Sequence, residues 1–408
     1  MVEEERMRIE DLIVTPVAIP LETPLLHAWG RHLGFGRVII QLVTDNGLTG
    51  LGETTLTPNG RQMEEVLRSC RHLVVGEDPF NLERLRWKIA NPFYVRMFGP
   101  NLTNAYAAFV CACLDLQGQA CDRPVCDLLG GRMRDRVPVS AYIFYEDPGG
   151  EGNTPWEEAD RTIVERAVAL VEGMGCRSIK FKGGVYPPDR EVETVRHLCQ
   201  RLPGVPVRMD PNSSWALTTA VRVARALADC NLEYLEDPVW GLQGMAKLKR
   251  LAPGVPLASN MACFGYEDVA PAALLDAVDV ILADPHWYGG LHATKALSRL
   301  CETFGLDVGM HSGTEFGVSM AAVLHLGAAL PSIHHAPDAH YHYLRDDIIV
   351  GGPMPYVDGA IAVPKGPGLG VRLDPEKLAQ YNRMYEWYLS SSMVREPSNE
   401  PLYTKARW

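Results

Sequence analysis

Residues 8–56 carry an extended, β-type pattern of apolar and polar positions. Arg8 to Leu26 reads as one extended stretch. Arg37 to Leu56 reads as a hairpin turning at Asp45-Asn46-Gly47, because Asn-Gly supplies the positive φ angles of a tight reversal. Between them, His27 to Gly36, with Trp29, Arg31 and His32, is expected as a glycine-containing loop. Helical patterns follow near 60–75, 81–91, 102–121 and 124–130, which completes an α+β unit of about 130 residues.

From Val137 the texture changes to short apolar runs alternating with amphipathic stretches. The strand candidates are Val137–Phe144, Ser178–Gly183, Val205–Asp210, Leu232–Glu236, Val255–Asn260, Asp279–Asp284, Asp307–His311 and Ser332–His335. Seven helical segments separate them, among them Trp156–Met174, Glu191–Leu202, Leu217–Asp229 and Ala293–Phe304. Strands alternating with single helices imply a parallel sheet. Eight strands with seven helices imply an α/β fold closed as a (β/α)7β TIM-like barrel. An internal echo supports repeated units: Arg201-Leu-Pro-Gly-Val-Pro-Val and Arg250-Leu-Ala-Pro-Gly-Val-Pro-Leu both leave a helix and enter a strand. Beyond about residue 350 come Gly/Pro-rich turn signals, then a polar helix near 375–390, a tail expected to pack back on the first unit.

Polar residues end the barrel strands in register. Lys182, Asp210, Glu236, Asn260, Asp284 and His311 are separated by 28, 26, 24, 24 and 27 residues, each step being one βα unit. A single Asp or Asn at such a place is ordinarily a cap or turn residue. Six in register deliver polar groups to the end of the barrel where ligands bind. Asp210, Glu236 and Asn260 offer three hard oxygen donors from adjacent strands, a set that favours Mg2+ over Zn2+. Period-two alternation puts Lys180 on the face of Lys182. Asp284 can bond one ring nitrogen of His311, which orients the imidazole and raises its basicity. A metal flanked by two acid/base candidates, Lys182 and His311, suits removal of a proton α to a carboxylate. Lys180 as an ammonium is expected to depress the pKa of Lys182 and leave it partly neutral.

Composition narrows the partners. The 408 residues carry 39 Lys+Arg against 50 Asp+Glu, a formal net charge of −11, with no basic run, so no nucleic-acid partner is expected. The most apolar stretch, Ala105 to Leu116, is too short to span a bilayer, and no membrane association is expected. The acidic opening MVEEERMRIE has no apolar core of the signal-peptide type. The 10 cysteines show no CxxC pair and read as small buried hydrophobes in a reducing cytosol, so the expected location is cytoplasmic. His334, His335, His340 and His342 raise the alternative of a zinc hydrolase. Barrel hydrolases usually draw an HxH pair from their first strand, and here that strand has no His.

Six segments then carry a resemblance: Lys180-Phe-Lys-Gly-Gly-Val, Asp210-Pro-Asn, Glu236-Asp-Pro, Ser259-Asn-Met, Ala283-Asp-Pro-His and His311-Ser. With these the chain resembles the enolase superfamily, specifically its mandelate racemase-like group, and most closely glucarate dehydratase and its relatives. Val363-Pro-Lys-Gly-Pro-Gly-Leu-Gly-Val is similar to the family segment that closes onto the cap. The resemblance implies an α+β capping domain over residues 1–132, a barrel with the active site over 133–350, and a C-terminal segment over 351–408 returning to the cap. It implies Lys182 and His311, paired with Asp284, as acid/base residues, and Mg2+ held by Asp210, Glu236 and Asn260. Lys180 and Asn212 would sit beside the substrate carboxylate or the metal. His32, Tyr142 and His340 match positions that contact the polyol. The implied reaction is loss of water from an acid sugar, an aldarate or aldonate, giving a 2-keto-3-deoxy acid, and the implied assembly is a homo-oligomer. Two alternatives share the residues: epimerisation by the same Lys/His pair, and a weakly active acid-sugar-binding paralogue. Where glucarate dehydratase has two Asn after its His-Ser, this chain has Gly313 and Thr314, and Glu315 is expected to add negative charge at the mouth.

Overall fold

The computed structural model describes residues 7–391, apart from 29, 56–59, 149–153 and 332. Strands β1 (Ile9–His27), β2 (Gly30–Thr44) and β3 (Thr49–Thr55) form an antiparallel sheet. Gly47 makes the β2–β3 turn at φ +81°. The expected loop His27–Gly36 is mostly strand: β2 begins at Gly30, and Leu25 pairs with His32. Its glycines are not breakers. A Cβ on Gly34 would fall 2.8 Å from the Ile19 carbonyl oxygen, so glycine lets the two backbones meet. Trp29 and Leu56 lie outside the described residues.

Six helices follow: Gly60–Ser69, Arg71–Val74, Leu82–Ile89, Pro92–Phe98, Asn101–Cys121 and Val125–Leu128. Pro92–Phe98 was not expected; Asn91 caps it and proline occupies its first turn. The helix Asn101–Cys121 is buried from Asn104 to Gly118 and lies on β3. The contact is backbone on backbone. A Cβ on Gly50 or Gly52 would fall 2.1 Å from Ala112 O or 2.2 Å from Ala108 O.

Seven parallel strands come next: after the short β4 (Arg136–Pro138) run β5 (Ala141–Glu146), β6 (Ile179–Lys182), β7 (Val207–Asp210), β8 (Leu232–Glu236), β9 (Leu257–Ser259), β10 (Val280–Ala283) and β11 (Asp307–Met310). Neighbours in sequence are neighbours in the sheet, and β5 also meets β1 through Leu25 and Leu26. Seven principal helices cover the outside: Trp156–Val168, Pro188–Arg201, Leu217–Ala226, Gly241–Leu251, Tyr266–Leu274, Leu291–Phe304 and Gly317–Ala329. Inward and outward residues separate cleanly on β6: Ile179 and Phe181 join the apolar layer under the helices, whereas Lys180 and Lys182 do not.

Two expected strands differ. Val137–Phe144 is divided between β4 and β5. Ser332–His335 is not the eighth stave. Ser332 lies outside the described residues, and His335 is drawn away by Glu233 at 2.6 Å and Asp307 at 3.3 Å. The gap is closed by Pro337–Asp338: Ser140 N–H donates to Pro337 O at 3.0 Å and Asp338 N–H to Met310 O at 3.0 Å.

β12 (Tyr356–Val357) and β13 (Ala360–Ala362) make a small sheet with β4. The helix Pro375–Ser391 then returns to the first unit, where Asn382 donates to Pro16 O at 2.6 Å and Tyr385 and Tyr388 pack with Ala18. Residues 392–408 lie outside the described residues. No helix among the described residues is long and apolar enough to cross a membrane.

Candidate active site

Register brings the strand ends together. Lys182 of β6 stands opposite Asp210 of β7, and its Nζ donates to Asp210 Oδ2 at 2.5 Å. Lys180 donates to Glu236 and, at 2.9 Å, to Asp338 Oδ2; it also lies 3.8 Å from Asp210. Asp338 in turn receives the Arg208 guanidinium at 2.9 Å. All these groups are buried. Burial opposes charge on Asp338, yet Lys180 and Arg208 outweigh it and hold its carboxyl below the usual range. The expected depression of Lys182 is not found. Burial and Lys180 push its amine down, but Asp210, then Tyr142, hold the ammonium above its usual range.

The oxygens fit a hard divalent cation. Glu236 Oε1 and Asn260 Oδ1 are buried and have no hydrogen-bond partner, an expensive arrangement for a protein alone. Burial, then repulsion from Asp210, raises the Glu236 carboxyl well above its usual range. Asp237 positions the third donor, since it accepts from Ser259 Oγ at 2.5 Å, Asn260 N at 2.9 Å and Met261 N at 3.0 Å. Asn212, at φ +49°, lies against Asp210: its backbone N–H donates to Oδ1 at 2.8 Å and its amide to Oδ2 at 3.5 Å. Asp210, Glu236 and Asn260 could therefore hold Mg2+.

At the end of β10, Asp284 serves two imidazoles. His311 Nδ1 lies 3.1 Å from Oδ2, and His286 Nδ1 lies 2.7 Å from Oδ1. Burial opposes charge on Asp284, yet the two histidines hold its carboxyl far below the usual range.

The loop after β11 differs from its expected form. Glu315 is 2% exposed and folds back onto its own loop, accepting from Ser312 Oγ at 2.5 Å and Gly313 N at 3.0 Å. It does not place charge at the mouth; the turn consumes it. Arg37 of β2 reaches across and donates to the carbonyls of Gly313, at 2.6 Å, and Thr314. His340 is placed under this loop, with Nδ1 2.9 Å from Ser312 Oγ and Nε2 on Thr314 Oγ1. Both ring nitrogens that a polyol contact would use are thus engaged. A wall of rings continues from it: Tyr142 at 4.9 Å, Phe144 at 5.7 Å and Phe35 at 5.4 Å, with His32 5.0 Å beyond Phe35. Tyr142 lies 5.2 Å below the Lys180 ammonium, and burial pushes its phenol up to about 12. Burial, then Lys182, lowers His32 to about 4, so its ring is neutral at pH 7.

Sequence reasoning missed Asp338, Arg208, Arg37 and Glu53, and gave His286 no part. Arg208 sits two residues before Asp210, the inward-facing period, and was available on that ground. Glu53 takes backbone N–H bonds from Phe316 and Ser319 at 2.8 and 2.9 Å, contacts between distant segments that no local pattern announces.

Residues 9–130 match the model of the mandelate racemase / muconate lactonizing enzyme N-terminal domain, and residues 162–377 that of the enolase C-terminal domain-like family. A probable glucarate dehydratase of Streptomyces coelicolor is 38% identical, over 91% of this chain and 90% of its own. A chloromuconate cycloisomerase of Cupriavidus pinatubonensis is 27% identical, over 85% of this chain and 91% of its own. Among solved structures, an enolase from Pseudomonas fluorescens Pf0-1 with bound magnesium, potassium and tartrate is similar. It aligns with a TM-score of 0.85 and 37% identity, over 94% of this chain and 93% of that one.

Proposed function

We propose that this chain, which belongs to the mandelate racemase and muconate lactonizing enzyme family of the enolase superfamily, is a Mg2+-dependent dehydratase of an acid sugar, an aldarate or aldonate. One observation carries the reading: an amine, Lys182, and an Asp284-bound imidazole, His311, come from separate strands of a barrel whose orphaned oxygens fit a divalent cation. The likeness to a probable glucarate dehydratase, and a neighbour's magnesium and tartrate, support the same substrate class.

Lys182 or His311 takes the proton α to the carboxylate. When bound, Mg2+ would share the charge of Asp210 and Glu236 that now holds the lysines, and would stabilise negative charge developing on the substrate carboxylate. The electron pair left on the α-carbon expels the β-hydroxyl. His311, as imidazolium, gives that group its proton, so water departs. The enol then tautomerises to the 2-keto-3-deoxy acid. Asp284 keeps the His311 Nδ1 proton in place, which leaves Nε2 to give and take the mobile proton. The half-buried ring of His32 and the buried ring of His340, both neutral, and the Tyr142 ring would form the wall along the hydroxylated chain.

The test is a panel of mono- and diacid sugars with Mg2+, assayed for keto acid with semicarbazide and for α-hydrogen exchange in deuterated solvent. Keto-acid formation is expected. Exchange with an isomeric acid and no keto acid would mean epimerisation by the same pair; binding without exchange would mean a poorly active paralogue.

A further inference from the structure

We infer that His286 is a positioning residue: it pins one oxygen of Asp284 so that the other fixes the orientation and proton of the His311 ring. The inference rests on the reading of His311 as an acid/base group, and deepens it.

Asp284 has two oxygens and only acceptor capacity when ionised. Oδ1 takes both the backbone N–H of His286, at 2.9 Å, and the His286 ring at Nδ1, at 2.7 Å. Oδ2 takes His311 Nδ1, at 3.1 Å. Both histidines therefore present an Nδ1–H to one carboxylate. The far nitrogen of His286 is also engaged, 2.9 Å from Ser319 Oγ at the start of the helix Gly317–Ala329. His286 is anchored at both ends and 5% exposed. It closes the chain His311–Asp284–His286–Ser319.

The charged and titratable groups around it come from several elements. Asp284 and His311 belong to the barrel. Glu53, ion-paired with Arg37 at 3.5 Å, comes from the first sheet, and burial raises its carboxyl. Cys111, from the helix Asn101–Cys121, lines a small cavity together with Glu53 and His286, and burial keeps its thiol protonated.

The sign of the effect follows from charge density. A donor on Oδ1 draws negative charge away from Oδ2 and weakens its hold on the His311 proton. Without the His286 ring, Asp284 keeps only the backbone donor on Oδ1. His311 then holds its proton more tightly, and its ring is less well fixed. A side chain that merely fills space would leave that titration where it is.

The experiment is a pH titration of the His311 ring by NMR, on full-length, 13C/15N-histidine-labelled protein with Mg2+ present, the signal being assigned from a His311→Asn variant. His286→Phe is expected to raise the His311 midpoint by about half a unit or more and to broaden its Nδ1–H tautomer signal. His286→Gln keeps a polar group near Ser319 but cannot reach Asp284 as the ring does; it should show the same shift, and serves if the phenylalanine does not fold. His286→Asn, whose amide replaces Nδ1, should restore the wild-type midpoint. In the keto-acid assay, kcat of the Phe and Gln variants should fall roughly 10- to 100-fold, with KM nearly unchanged. An unmoved His311 midpoint and tautomer in both would overturn the inference. A wild-type protein without exchange on any acid would overturn the acid-sugar reading instead, and the ring titration would still decide the role of His286.

Discussion

Lys180 and Lys182 stand two residues apart on one strand, carry the same charge, and are given different work by their neighbours. Lys180 is fully enclosed and tied to Glu236 and Asp338, whereas Lys182, nearer the mouth, is tied to Asp210. Lys182→Ala and His311→Asn should each reduce α-hydrogen exchange and keto-acid formation by at least about a hundredfold, the usual contribution of an acid/base group, with unchanged circular dichroism. Retained activity in either would remove that residue from the proposed chemistry. Asn260→Ala should weaken Mg2+ binding by about tenfold or more, read by titration calorimetry; unchanged affinity would remove Asn260 from the ligand set. At this scale the sequence showed which residues end the strands, because βα spacing is regular. It did not show where each side chain turns. By residue type and place Glu315 reads as charge at the mouth, yet its carboxylate closes its own turn, and Asp338 comes from a stave with no strand pattern.

Among the elements, the seven parallel strands were readable because each apolar run is followed by a helix, amphipathic except for the last, Gly317–Ala329, which is buried along its whole length. Errors arose where tertiary contacts override local pattern. The Gly-containing stretch after His27 became strand through pairing with β1, and the eighth stave slipped past His335 because Glu233 and Asp307 hold that ring elsewhere. The tightest joint is β3 against the helix Asn101–Cys121. Gly52→Ala places a methyl group into the Ala108 carbonyl, where neither backbone can yield cheaply. A loss of about 2–4 kcal/mol is expected in urea melts. An unchanged midpoint would mean the sheet and helix are not in that contact.

Across the whole molecule, His325 joins three segments. From the helix Gly317–Ala329 its Nδ1 accepts from Cys126 N–H at 3.4 Å, and its Nε2 donates to Leu369 O at 3.1 Å. This bonding needs a neutral ring, and burial lowers its pKa to about 4 from the ordinary 6.5. The unfolded chain takes up the proton first as pH falls. His325 thus contributes stability that is fully present above pH 6.5 and is lost as pH falls toward 4. The loss is on the order of 3 kcal/mol. His325→Gln should flatten the curve of stability against pH over that window in denaturant titrations; a curve parallel to wild type would refute the assignment.

The Pro337–Asp338 stave is stitched by single backbone bonds to each neighbour, and its one carboxylate grips two buried cations. Such a wall has a zip fastener whose slider is electrostatic. Replacing Arg208 or Lys180 by methionine should speed deuterium uptake at the Ser140 and Asp338 amides before it changes at β6 or β7, making the hoop come undone at the place where its chemistry is loaded.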